Sequence, residues 1–114
     1  MSLLLAYGHK CAVSKCDVAE VLEAAHIKPY QGPHTNAVVN GLLLRADLHT
    51  LFDLGLMAID PQDLKIRIAP LIQETDYGQF QGKELQTPID SRLHPDPHAL
   101  GERFREFCDR FGVT

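Results

Sequence analysis

The stretch from residue 23 to residue 53 constrains the fold more than any other part of the chain. It holds an apolar segment around His26, a turn signal at Gln31-Gly32-Pro33 and an Asn40-Gly41 dipeptide, followed by an apolar run that passes into an amphipathic segment. Turn residues between short apolar runs indicate a pair of strands, and apolar spacings of three and four indicate a helix. The stretch therefore predicts strand, loop, strand and helix, in that order.

The boundaries of these elements follow from local chemistry. Pro29 pushes Lys28 into extended geometry, so residues 22–27 are predicted as a strand that carries His26. The second strand is predicted at 42–44, after a loop at 30–39. A helix is predicted from about Ala46 to Leu54, ended by Gly55, with its apolar face formed by Leu48, Leu51 and Phe52.

The flanking segments complete an α+β prediction. Residues 3–7 are predicted as the last turns of a helix ended by Gly8, and Lys10–Cys16 as a strand entering a tight turn. Two short strands at 56–59 and 64–68 form a hairpin, and 69–95 is irregular with a short strand near 77–80. A terminal helix begins at Asp96-Pro97 and carries an apolar stripe of Leu100, Phe104, Phe107 and Phe111.

Length and composition limit the classes of protein. With 114 residues the chain is predicted to be a single domain, 1–114, and no apolar run approaches the roughly 20 residues of a membrane span. The start, which reads as mid-helix, predicts a fragment of a longer protein whose N-terminal region is missing. Three cysteines without an export signal predict reduced thiols and a cytoplasmic location. The net charge of −4 argues mildly against a stand-alone nucleic-acid binder.

Two groups of side chains could hold a metal. His49 and Asp53 are four residues apart on the predicted helix, so an imidazole and a carboxylate share a face. Such pairs are also common on solvated helices. Cys11 and Cys16 form a C-x4-C pair that could bind structural zinc if a histidine such as His9 or His34 completed it; buried thiols beside a turn are the alternative.

The order strand, His26, loop, Asn40, strand, helix, His49 resembles the HNH endonuclease family. The resemblance is carried by the motifs A-A-H-I-K-P-Y, N-G-L-L-L-R-A-D-L-H-T-L-F-D-L-G and C-A-V-S-K-C. It implies a ββα-metal, treble-clef-like core at about 8–60, with an extension at 61–114 that adds a β-hairpin and a terminal helix. It also implies one divalent ion between hairpin and helix.

The resemblance assigns catalytic roles to His26, Asn40 and His49. His26 would be the general base, since an imidazole titrates near working pH. Asn40 would brace the loop, and His49 would bind the metal. Lys28 and Arg45 flank the site and are predicted to hold phosphate oxygens.

The sequence departs from the family at Ala25, where many members place an Asp or His metal ligand before the base. Asp53 is the predicted replacement, although it could instead cap the turn into Gly55; Glu23 is the second choice. A carboxylate with water suits Mg²⁺ or Mn²⁺, and an added imidazole would permit Zn²⁺ or Ni²⁺.

The predicted function is a metal-dependent endonuclease that hydrolyses phosphodiester bonds in DNA, most simply double-stranded, as the nuclease module of a restriction or defence-type protein. Cutting both strands with one site per chain would favour a homodimer. One alternative is a catalytically inactive nucleic-acid-binding module of the same fold. Another is a structural zinc module built on Cys11 and Cys16.

Overall fold

The computed structural model describes residues 2–113 and has an α+β architecture, as predicted. Short single-turn 3₁₀ segments occupy several of the connections. In chain order the helices and strands are α1 (Leu3–Ala6), β1 (Leu22–His26), β2 (Gly41–Arg45), α2 (Ala46–Asp53), β3 (Met57–Ile59), β4 (Ile66–Ile68) and α3 (Pro97–Phe111).

Strands β1 and β2 form an antiparallel pair that fixes the position of His26. In the register His26 faces Gly41 at one end and Leu22 faces Arg45 at the other. The loop between the strands is closed by a hydrogen bond from the amide of Ile27 to the carbonyl of Asn40, 2.8 Å long. Helix α2 starts directly after β2, at the end of the hairpin opposite His26, and packs against both strands.

The second hairpin and the terminal helix complete the core. Strands β3 and β4 pair antiparallel, and α3 packs on β3. The side chain of Asp96 accepts a hydrogen bond from the amide of His98 at the start of α3, and Gly112 ends the helix with a φ of 65°. The predicted apolar stripe of α3 packs on the core: Leu100 and Phe107 are buried, and Phe104 and Phe111 are partly buried. No helix within residues 2–113 has the length and apolarity needed to cross a membrane.

Two predicted strands are wrong. Lys10–Cys16 is a turn in which Lys15 has a positive φ of 65°, and the thiol of Cys11 accepts backbone N–H groups that a strand would direct to a partner. The strand predicted near 77–80 is a 3₁₀ segment, Asp76–Phe80, capped by the hydroxyl of Thr75. Strand β4 is also shorter than predicted, since Leu64 has a φ of 57°.

Candidate active site

His26 lies at the exit of β1, where the loop controls its ring. The Nε2 atom is 2.9 Å from Oδ1 of Asn36, and the ring packs edge-on against Tyr30 with 5.8 Å between centroids. An amide oxygen only accepts hydrogen bonds, so this contact favours the tautomer that carries its proton on Nε2 and has a lone pair on Nδ1. The structure thus leaves one nitrogen of His26 available as a proton acceptor.

Asn40 stabilises the backbone that follows His26. Its buried side chain accepts a hydrogen bond from the amide of Lys28 (2.9 Å) and donates to the carbonyls of Lys28 (3.2 Å) and Thr35 (2.9 Å). These three bonds tie both sides of the loop to the start of β2. The amide does not contact the ring of His26 directly, since its partners are backbone groups.

His49 lies on α2 with both ring nitrogens beside carboxylates. Nδ1 is 2.7 Å from Oε1 of Glu23, and Nε2 is 3.1 Å from Oδ2 of Asp53, one helical turn later. Donation from Nδ1–H to a carboxylate is the arrangement that fixes the ring of metal-ligating histidines in proteins. With that tautomer the lone pair of Nε2 would face Oδ2 of Asp53 across 3.1 Å, so a cation or a second ring proton between the two atoms is needed to satisfy both. Glu23 therefore lies in the position of a group that orients His49.

One open pocket of about 500 Å³ brings the two histidines together. His26 and His49 both line it, and so does Tyr30, which is exposed. The charged side chains that line it are Lys28, Asp53, Glu102, Arg103 and Glu106. Nζ of Lys28 is 3.7 Å from Oε1 of Glu102. Three carboxylates against two cationic side chains make this pocket a favourable place for a cation.

The donors in the pocket fit a divalent ion that completes its coordination with water and substrate. Nε2 of His49 and Oδ2 of Asp53 are 3.1 Å apart, close to the roughly 3 Å between neighbouring ligands of an ion bound at about 2.1 Å. Residues 2–113 contain no group of three or more His, Cys, Asp or Glu side chains placed to hold a metal. Two protein ligands suit Mg²⁺, which retains several waters and binds substrate phosphates.

Ala25, where the family pattern places a ligand, is fully buried in the core. Its methyl group packs among apolar side chains. The neighbouring strand position that reaches α2 is Glu23, and its carboxylate contacts Nδ1 of His49.

Arg45 lies outside the residues that line the pocket. Its guanidinium makes two hydrogen bonds to Asp47, of 2.7 and 3.1 Å, and lies over the ring of Phe80. The hydroxyl of Tyr77 donates a third bond to Asp47. Hydrogen bonding from Arg45 lowers the pKa of the Asp47 carboxyl, and the same contact raises the pKa of Arg45. The structure does not bring Arg45 to the histidines.

Cys11 and Cys16 lie on the turn before β1 as free thiols. The sulfur of Cys11 is buried and accepts backbone N–H groups of Val13, Ser14 and Arg45 at 3.3–3.4 Å. No third His, Cys, Asp or Glu joins the two cysteines in the described part of the chain. Tetrahedral zinc needs four ligands, and this turn supplies two.

Three residues of the site carried no sequence signal. Asn36 reads as an ordinary loop residue, and Glu102 and Arg103 read as the polar face of a distant helix. Arg103 reaches carbonyl groups of β1 and α2 across 51 to 77 positions of sequence. Burial lowers the pKa of its guanidinium, although Asp53 and Glu106 oppose this change. Only the tertiary structure places Glu102 and Arg103 in the pocket and Asn36 against the ring of His26.

Comparison with known proteins finds a family model that matches part of the chain. Residues 11–60 match the family model described as HNH endonuclease, so the resemblance seen in the sequence is confirmed. Among solved structures, the chain is similar to one described as a modification dependent TagI restriction endonuclease. The TM-score is 0.61 at 23% identity, and the match covers 91% of this chain and 35% of the other. This chain thus spans about a third of that protein's length. No curated protein matches the chain.

Proposed function

Because residues 11–60 match the HNH endonuclease family, we propose that the chain is a metal-dependent endonuclease module that hydrolyses phosphodiester bonds in DNA. The proposed substrate is double-stranded DNA, and the module is proposed to be part of a restriction or defence-type protein. The observation that carries the proposal is the single pocket lined by His26, His49 and Asp53. The similarity to a restriction endonuclease structure supports the same class of fold.

In the proposed mechanism His26 is the general base. A water molecule in line with the scissile bond gives its proton to Nδ1, which holds a lone pair because Nε2–H donates to Asn36. Asn40 keeps His26 in place through the backbone of Lys28. The ring of Tyr30 packs against the imidazole in a T-shaped arrangement, which limits rotation of the imidazole.

His49 and Asp53 would hold the divalent ion, and Mg²⁺ or Mn²⁺ suits a carboxylate, one imidazole and water. When bound, such an ion supplies charge stabilisation to the phosphate and to the departing 3′ oxygen. Glu23 orients His49 through Nδ1. Lys28 would move from Glu102 to a phosphate oxygen, since its ion pair is long and half exposed.

A plasmid-nicking assay with Mg²⁺, Mn²⁺, Ni²⁺ or EDTA tests this proposal. We expect cleavage that EDTA abolishes and that His26→Ala and His49→Ala each lower by at least about 100-fold, the contribution of a general base or a metal ligand. His34 is an exposed histidine of the same loop, so the His34→Ala variant is the matched control and should cleave DNA normally. Cleavage that persists with EDTA and in His26→Ala would reject the mechanism.

A nucleic-acid-binding module without catalysis is the second proposal, and the buried Ala25 favours it because the family's usual ligand is missing there. Calorimetry separates the two. Binding of DNA without binding of Mg²⁺ or Mn²⁺, and without nicking, would support the binding module. Micromolar or millimolar binding of either ion that Asp53→Ala removes would support the nuclease.

We further propose that double-strand cleavage uses two copies of the chain, since each copy has one such pocket within residues 2–113. Sedimentation with a duplex of about 20 base pairs would measure the stoichiometry. Two chains per duplex are expected, and one chain per duplex with linear plasmid as product would contradict the dimer.

A further inference from the structure

Arg103 links the two halves of the candidate active site through three backbone carbonyls. From helix α3, its Nε donates to the carbonyl of Ile27 at 2.7 Å and its Nη2 to that of His26 at 3.3 Å. Its Nη1 donates to the carbonyl of Phe52 at 3.1 Å. The first two carbonyls belong to the exit of β1, and the third belongs to the last turn of α2.

The carbonyls that Arg103 contacts are next to the residues that the proposed reaction needs. One belongs to His26 itself, and Phe52 directly precedes Asp53. The guanidinium also lies 4.4 Å from the centroid of the Phe52 ring and 4.0 Å from Oδ1 of Asp53. A planar group with five N–H donors in fixed directions can hold three carbonyls at once, and a lysine ammonium cannot reproduce that geometry.

We propose that Arg103 is a positioning residue that fixes the spacing between His26 and the His49–Asp53 pair. Its catalytic consequence rests on the proposed function, but the link itself is a property of the folded chain. Each half of the site is internally held, by Asn40 at the loop and by the helical bonds of α2. The side chain of Arg103 connects one half directly to the other, so its loss should change their separation while each half stays formed.

Arg103→Lys tests the link, with Arg110→Lys as the matched control. Arg110 lies on the same helix, stacks on Phe111 and donates to the carbonyl of Leu54 at 2.8 Å, so it contacts the end of α2 but not β1. Amide NMR shifts report the bonded carbonyls, because each carbonyl shares a peptide group with the next amide. The amides of Ile27, Lys28 and Asp53 should therefore shift or broaden in Arg103→Lys and stay unchanged in Arg110→Lys.

The kinetic readout separates positioning from stability. At saturating DNA, kcat for nicking should fall about 10- to 100-fold in Arg103→Lys, as expected for a small misplacement of reacting groups. The half-saturating concentration of Mn²⁺ should stay within about twofold, since His49 and Asp53 are on one helix. Arg110→Lys should keep kcat. A proportional loss of kcat and of folded protein, measured by circular dichroism, would overturn the proposal in favour of a structural role.

The outcomes distinguish this inference from the proposed function. If the wild-type chain cleaves no DNA, the function fails, and the NMR comparison alone decides whether Arg103 links the two halves. If Arg103→Lys cleaves normally with unshifted amides, the link is overturned while the nuclease proposal stands. Arg103→Gln repeats the test with a neutral side chain. Failure of both variants to fold would make Arg103 a stability residue and overturn the positioning role.

Discussion

Each histidine of the pocket has a ring nitrogen beside an acceptor, and His49 has a carboxylate beside each of its two nitrogens. Asn36 accepts from Nε2 of His26, and Glu23 lies against Nδ1 of His49. Because a neutral imidazole has one donor and one acceptor nitrogen, the Asn36 contact favours Nδ1 of His26 as the nitrogen available for chemistry, whereas Nε2 of His49 faces Asp53. The side chains around the histidines therefore matter as much to the proposed reaction as the histidines themselves.

Asn40 and Asn36 should separate stability from catalysis. Asn40→Ala leaves the amide and carbonyl of Lys28 and the carbonyl of the buried Thr35 without their side-chain partner, so we expect unfolding in urea to show a loss of about 1–3 kcal/mol. Asn36 is exposed, so Asn36→Ala should change stability by less than about 0.5 kcal/mol and yet lower kcat for nicking. Equal stability losses in the two variants would contradict this division.

Metal affinity should rank Asp53 above Glu23. We expect Asp53→Ala to abolish measurable binding of Mn²⁺ in calorimetry, since it removes one of two protein ligands. Glu23→Gln removes the charge that orients His49 and should weaken binding about 10- to 100-fold. The reverse order would make Glu23 the ligand and Asp53 a brace of the turn into Gly55.

At the scale of elements, the sequence predicts each α-helix and each strand found within residues 2–113, with ends that differ by no more than two residues, but it does not predict the short 3₁₀ segments. The strands around His26 and the helix of His49 were predictable because turn residues and apolar periodicity are local signals. The two incorrect strand predictions also have a local explanation. At 10–16 the chain turns on the hydrogen bonds to the Cys11 sulfur, and at 76–80 Thr75 caps a 3₁₀ turn.

The contact of Arg45 with Asp47 and Tyr77 joins β2, α2 and the 3₁₀ segment at 76–80, and it should make stability depend on pH. The folded state lowers the pKa of Asp47 below its ordinary 3.8, so the ionised carboxylate stabilises the fold above that value. This contribution is lost as pH falls through the lower folded pKa. The side chain of Asp47 is 39% exposed, so salt screens the effect and it stays small.

Urea unfolding at pH 2.5 to 7 should measure this dependence. The difference in unfolding free energy between wild type and Asp47→Asn should be constant near pH 7 and shrink below about pH 4. Asp17 is an exposed carboxylate of the connection before β1. The Asp17→Asn variant is therefore the control, and its unfolding free energy should differ little from that of wild type at any pH. A gap that widens toward acid would contradict the assigned sign.

At the scale of the whole molecule, the site is assembled from the local stretch that holds β1 and α2 and from the distant helix α3. The sequence predicted His26, His49 and Asp53 because they lie within one local pattern, and the structure brings them to one pocket. It did not predict Arg103 or Glu102, which reach that pocket from α3 about 50 to 77 residues away. Their roles depend on helix packing, and a one-dimensional pattern contains no signal for that.

The net charge of −4 should make binding of DNA by this chain weak and only slightly sensitive to salt. The logarithm of the affinity falls with the logarithm of the salt concentration, and each phosphate neutralised by a cationic side chain adds about 0.9 to the magnitude of this slope. Lys28 is the lysine that lines the pocket, Arg45 forms hydrogen bonds to Asp47, and Arg103 donates to backbone carbonyls.

Fluorescence anisotropy from 50 to 200 mM salt should therefore give a slope of log affinity against log salt of about 1 to 2 in magnitude. Lys28→Gln should lower it by about 1, whereas Lys10→Gln, exposed on another face, should leave it unchanged. A slope above about 5 would require a basic surface that this pocket does not provide.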